Sequence, residues 1–201
     1  LSGIGKRTFL NKLVKNIINI EFKDNNVDHH LNLFKNNTHP NIKIIEKEID
    51  NKTGKIKTNI TIDQIRRLKT FLNSTSIIQN SSKIVIIDSA DYLNISSANS
   101  MLKILEEPKE NTYIFLISNQ ISLILPTIRS RCLEIKIILN VDDKNEITES
   151  LLNFYNQEII LEKGCMHISP GNFLKFNYIL NENKIDINQN LSLNLKKIIS
   201  L

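Results

Sequence analysis

The sequence predicts an α/β fold, a parallel sheet with helices on both faces, followed by a smaller helical region. Three observations lead there. "KIVIID" (83–88) and "YIFLIS" (113–118) are short, continuous apolar runs, the pattern of strands buried on both faces. Residues at amphipathic helical spacing precede and separate these runs. Beyond about residue 140 the strand signal fades, while helical spacing continues over 142–155, 169–180 and 191–200.

Taken in chain order, Leu10, Leu13, Val14, Ile17 and Ile18 share a helical face and predict a helix over 8–20. Residues 21–40 are polar and read as a loop or insertion. "IKIIEKEID", "NKTG" and "KIKTNI" read as strand, turn and strand. Thr61 and Gln64 form a T-x-x-Q capping signature ahead of Ile65, Leu68, Phe71 and Leu72. After the run at 83–88, Ala98, Met101, Leu102 and Leu105 mark another helix, stopped by Pro108. After 113–118, residues 124–128 suggest a helical turn and "CLEIKII" (132–138) a third strand. No internal repeat is evident.

The 201 residues suffice for one sizeable α/β core with a small appendage. Lys and Arg number 26 against 21 acids, a net charge of +5 that permits nucleic-acid contact without demanding it. The longest apolar runs are strand-length, so no membrane span is expected. Cys132 and Cys165 suggest neither a disulfide framework nor a zinc site, which points to a reduced cytoplasmic setting. Cys132 is expected to pack at the start of a strand. His29, His30, His39 and His167 lack metal-ligand spacing and read as surface or loop residues. The chain opens on Leu1 rather than Met, directly on "LSGIGKRT", so an N-terminal piece is expected before it.

"GIGK" at 3–6 has the form of the second half of a phosphate loop. Gly3 and Gly5 would let successive backbone N–H groups surround phosphate, with Lys6 as the point charge. In the full pattern a Ser or Thr follows the lysine to ligate Mg²⁺. Here Arg7 stands there, and Thr8 comes one residue late. A glycine-rich turn capping a helix is the other reading of the same residues. Asp88, at the end of a strand, could hold Mg²⁺ through water, but any α/β strand can end in Asp. ATPases of this kind follow that Asp with Glu, and Ser89 cannot act as that base. In "TIRSRC" (127–132), no acid lies within five residues upstream of Arg131 to neutralise it or Arg129.

Together, "GIGKRT", "IVIIDSADYLNISSANSMLKILEEP", "YIFLISN" and "LPTIRSRC" resemble, in order and spacing, the delta-prime type of bacterial DNA polymerase III clamp-loader subunit, an AAA+ family. The stretch from Thr38 to Leu72 resembles alphaproteobacterial members. The resemblance is close over residues 1–140 and weaker over 141–180. It implies an AAA+ nucleotide-binding-like domain over 1–139 without its N-terminal strand. A small helical lid over 140–201 and a C-terminal collar outside this chain would follow.

In clamp loaders the Ser-Arg-Cys arginine enters the ATP site of a neighbouring subunit, and Arg131 matches it. Arg129 is the secondary candidate. Relatives with a zinc module carry four cysteines before the second strand, and this chain has none there, so no zinc is expected. Asn172 in "SPGN" stands where motor subunits place a lid arginine. Arg7, Ser89 and Asn172 thus imply a non-catalytic stator, with ATP and Mg²⁺ bound weakly or not at all. Gamma/tau motor subunits and the delta subunit would be its partners, with the sliding clamp and primed DNA met through the assembled complex. Lys6 and Asp88 keep open the alternative of an active motor ATPase, gamma/tau-like, in the same machine. An unrelated P-loop module would leave Ser-Arg-Cys unexplained.

Overall fold

Strand β2 (Lys83–Ile87) is buried at every position and organises the computed structural model, which describes residues 2–23, 26–50, 53–75, 78, 81–160 and 168–183. β1 (Ile42–Ile45) pairs with it in parallel on one side and β3 (Thr112–Leu116) on the other, in the order β1-β2-β3. The register sets Ile42 against Ile84 and Lys83 against Thr112. Parallel neighbours need crossovers, supplied by helix α3 (Ile62–Asn73) and helix α4 (Ile95–Glu106).

Side chains alternate across a strand, so β2 feeds two cores at once. Val85 and Ile87 join Ile65, Leu68 and Met101 of α3 and α4. Ile84 and Ile86 join Leu10, Val14 and Ile18 of helix α1 (Lys6–Glu21) on the opposite face. Each such buried side chain contributes roughly 1.5–3 kcal/mol. α3 starts as its sequence signature requires, with the Thr61 N–H donating to Gln64 Oε1 at 3.0 Å. Gln64 also donates to the Glu46 carbonyl at 2.7 Å, tying the helix start to the end of β1.

The chain divides into two compact units, Arg7–Ile135 around the sheet and Leu1–Lys6 with Lys136–Leu201. In the second unit, helix α6 (Val141–Phe154) packs on helix α7 (Pro170–Glu182) through Leu152, Thr148 and Phe173. Asn140 caps α6, its side-chain oxygen accepting from the Asp143 N–H at 2.7 Å. No described helix is long and apolar enough to cross a membrane. The helix expected over 191–200, Cys165 and His167 lie outside the described residues.

Several expectations are corrected. Residues 21–40 are not all loop, because Val27–Lys35 forms helix α2. Val27, Leu31 and Phe34 fall at helical spacing and pack on the α1 side of the sheet, which polar neighbours masked in the sequence. The run 42–50 is split: residues 42–45 enter the parallel sheet, and Ile49 pairs across a turn with Ile56, flanked by hydrogen bonds between Glu48 and Lys57 and between Asp50 and Lys55. β3 is a half-buried edge, not a second fully buried strand. Residues 132–138 form no strand, and Leu133, Ile135 and Ile138 are largely exposed. Strand propensity alone cannot hold an extended segment; it needs a partner's N–H and C=O groups, and no described strand offers them there. Cys132 is half-buried against the α3–α4 core without a strand, and burial raises its thiol pKa.

His39 lies in a loop, as expected, but not at the surface: it is 5% exposed. Its Nδ1 accepts from the Asn41 N–H at 3.2 Å, and it lies beside His30, which stacks on Phe22 at 3.7 Å. Burial, and then the neighbouring His30 and His29, push its pKa down to about 4. The folded chain therefore binds fewer protons at this site than the unfolded chain, whose value is about 6.5. Stability from neutral His39 is complete above that value and is lost as pH falls toward about 4. Thermal melts should show about 1–3 kcal/mol less stability near pH 4.5 than near pH 7, and His39→Gln should flatten that drop. Equal pH dependence in both proteins would refute the assignment.

Candidate functional site

The glycine turn at 3–5 leads into α1, so Lys6 and Thr8 occupy the helix's first turn, Thr8 exposed. Gly3 and Gly5 have φ of 79° and 85°, left-handed values that disfavour any side chain. Gly5 faces open space, so its backbone angle is its whole requirement. Gly3 has a second one. The Gly171 N–H at the start of α7 donates to the Gly3 carbonyl at 2.9 Å. A Cβ on Gly3 would lie 2.5 Å from Ser169 Oγ and 2.9 Å from the Asn172 nitrogen. The carbonyl thereby satisfies one of the backbone donors that a helix start leaves unpaired. Asn172 is part of this contact and brings no cationic group to it.

Asp88 follows β2 and is held in an ion pair. Arg7, in the first turn of α1, sets its Nη1 3.2 Å from Asp88 Oδ2, both side chains a quarter to a third exposed. Mg²⁺ asks for oxygen ligands in near-octahedral array. The position after Lys6 offers a guanidinium instead of a hydroxyl, and that guanidinium already holds the carboxylate. The residues present do not fit Mg²⁺. Ser89 adopts φ 61°, left-handed for a non-glycine, with its hydroxyl 3.5 Å from Asp88 Oδ1. Asp88 and Ser89 line an open cleft of about 1140 Å³ with Glu46, Lys47, Glu48 and Arg67. Burial raises the Glu48 pKa, but hydrogen bonds from Arg67 and Lys57 outweigh it and hold it below the usual range.

The two arginines of "TIRSRC" are not without acids. Helix α5 (Pro126–Arg129) and the turn after it carry them. Arg131 donates from Nη2 to Glu106 Oε1 at 2.5 Å and from Nη1 to the Thr127 carbonyl at 2.9 Å. Arg129 donates to Glu134 Oε2 at 3.3 Å. The partner of Arg131 lies 25 residues upstream at the end of α4, which local sequence inspection could not pair with it. Each pair is substantially solvent-exposed, with Arg131 at 35% and Glu106 at 45%. Arg7 with Asp88 and Gly171 with Gly3 were missed for the same reason: separations of 81 and 168 residues leave no local signal.

Residues 1–140 match the family described as DNA polymerase III, delta subunit. The chain is 39% identical over 97 residues to DNA polymerase III subunit delta' of Pseudomonas aeruginosa, covering 48% of this chain and 27% of that protein. It is 32% identical over 133 residues to subunit delta' of Haemophilus influenzae, covering 65% of this chain and 38% of the relative. The chain thus spans well under half the length of either. Among solved structures, a DNA polymerase III gamma subunit-related protein from Thermotoga maritima superposes with a TM-score of 0.50 at 22% identity, covering 85% of this chain and 57% of that one. That likeness shows the fold, an α/β AAA+ fold.

Gly3→Ala should destabilise the protein by about 1–3 kcal/mol, from the left-handed backbone alone, with the clash against Ser169 added. Gly5→Ala should cost only the backbone strain, since nothing lies near it. Denaturant midpoints measured side by side check this, and an equal cost at both positions would refute the contact with α7.

Proposed function

This chain belongs to the DNA polymerase III, delta subunit, family, and on that premise we propose that it serves DNA replication as a delta-prime-like stator of a cytoplasmic clamp loader. In this reading it is neither a polymerase nor an ATPase. It sits beside gamma/tau motor subunits and the delta subunit, donates Arg131 in trans to a motor subunit's ATP site, and helps load the sliding clamp onto primed DNA. Arg129 is the secondary candidate for the same role.

The observation that carries the reading is the weak tether on Arg131. An exposed ion pair such as that with Glu106 contributes only about 0.2–1 kcal/mol. An arginine delivered to a transferring phosphoryl group is worth roughly 10³–10⁵ in rate, or about 4–7 kcal/mol of transition-state stabilisation. The cost of parting Arg131 from Glu106 is therefore small beside what its guanidinium would contribute to a transferring phosphoryl group on another chain, and until then the pair with Glu106 holds it. Ser89 supports the non-catalytic half, since a hydroxyl cannot take the proton of an attacking water as a carboxylate would. Asn172 supports it too, bringing no positive charge. The occupied Asp88 argues against the motor alternative.

Arg131→Ala should leave the subunit folded and assembled but slow ATP hydrolysis by the reconstituted complex, partially if other sites keep their arginines. Arg131→Lys should rescue poorly, because it keeps the charge and loses the planar fork. The isolated subunit should release no phosphate above background. Wild-type hydrolysis and loading by an Arg131→Ala complex, or subunit turnover abolished by Lys6→Ala, would overturn the proposal. The subunit is also proposed to carry no zinc, and elemental analysis giving one zinc per chain would contradict that.

A further inference from the structure

We infer that Arg7 is a built-in replacement for the divalent metal at Asp88, so that any nucleoside di- or triphosphate this chain meets is met without a metal requirement. The inference deepens the non-catalytic reading and rests on it. The geometry is a guanidinium Nη1 3.2 Å from Asp88 Oδ2, between two rigid elements. On one side, α1 is pinned by Leu10 and Val14, buried against the sheet. On the other, the Asp88 N–H donates to the Ile45 carbonyl at 2.8 Å, and the Ala90 N–H to the Ile117 carbonyl at 2.7 Å. The backbone around the carboxylate is thus held on both sides, to Ile45 at the end of β1 and to Ile117 just past β3. Ser89, between these anchors, keeps its left-handed φ of 61°.

Arg7 and a metal exclude each other on two grounds. A guanidinium carries five N–H donors and no acceptor, so it cannot enter a metal's ligand shell as the hydroxyl at that position would. It also places a permanent positive charge where a divalent cation would sit, and arginine does not lose its proton to make room. One residue change therefore does two things: it deletes a metal ligand and neutralises the other. The carboxylate remains satisfied in a half-buried position where an unpaired charge would be costly, which accounts for Asp88 persisting in a site that has no metal to hold.

The test titrates the full-length subunit with a fluorescent ADP analogue in Mg²⁺ and in EDTA. Wild type should give the same affinity, or the same lack of binding, in both. Arg7→Thr should bind at least about 10-fold tighter with Mg²⁺ than in EDTA, since a hydroxyl returns to the ligand position and Asp88 is released. Adding Asp88→Asn should erase that difference, and Arg7→Lys, which keeps the charge, should stay indifferent to Mg²⁺. Far-UV circular dichroism melts check that each variant is folded. The inference is overturned by an Arg7→Thr protein that is folded yet indifferent to Mg²⁺. It is equally overturned if Mg²⁺ tightens wild-type binding about 10-fold, a result independent of how any variant folds. Metal-dependent binding without phosphate release would sink this inference alone and leave the stator reading standing, whereas phosphate release would sink the stator reading itself.

Discussion

Strand β2 lies between two hydrophobic clusters with no side free, Val85 and Ile87 facing one and Ile84 and Ile86 the other. Its position leaves little latitude to anything attached to its ends. At its amino end, Lys83 is buried, and its ammonium donates to the Phe71 and Ser74 carbonyls at the end of α3, at 2.8 Å and 2.5 Å. A cation there meets the negative end of the helix dipole. Burial, with Lys109 adding to it, lowers the Lys83 pKa. At its carboxyl end the same strand delivers Asp88, whose N–H donates to Ile45, while the Ala90 N–H two residues on donates to Ile117. A charge at either end of β2 therefore has a defined place, which is the condition for a single arginine to reach it.

Five arginines in the sheet unit meet acids, and exposure distinguishes the pair at Asp88 from those of the Ser-Arg-Cys segment. Arg7 and Asp88 are a quarter to a third exposed, on elements that cannot part without loosening α1 from the core. Arg131 and Glu106 stand further into water, at the ends of α5 and α4, where solvent competes for both partners. The first pair suits a permanent electrostatic substitution. The second suits an arginine that is held until something with more negative charge is offered. Arg129 with Glu134 resembles the second case, at 43% and 37% exposure.

The glycine turn shows how one residue pattern can satisfy more than one demand. A phosphate-binding loop needs glycines for backbone angle and close approach, and so does the contact of Gly3 with Gly171, where a Cβ on Gly171 would lie 2.9 Å from the Gly3 carbonyl oxygen. Glycine at position 3 is therefore accounted for by packing within its own unit. Gly5 has only its backbone angle to explain it.

What could be read along the chain was whatever depends on neighbours within a turn or two. The apolar run of β2, the Thr61–Gln64 cap, the faces of α1, α3 and α4, and helices α6 and α7 all rest on periodicity or local hydrogen bonds. Such patterns are written in consecutive residues. Ser89, Arg7 and Arg131 were likewise singled out by position in a pattern. Pairing was not legible, because an ion pair between Arg7 and Asp88 or Arg131 and Glu106 depends on distance in space, and folding alone brings such residues together. The same holds for Leu133 to Ile138, whose composition suits a strand while the described sheet gives it no partner. It holds for His39 too, polar in sequence and buried where Phe22, just past α1, and His30 of α2 lie against it. Local pattern sets which segments form helices and strands; the tertiary structure decides which charges meet and which edges are paired, because those free energies belong to contacts between distant residues.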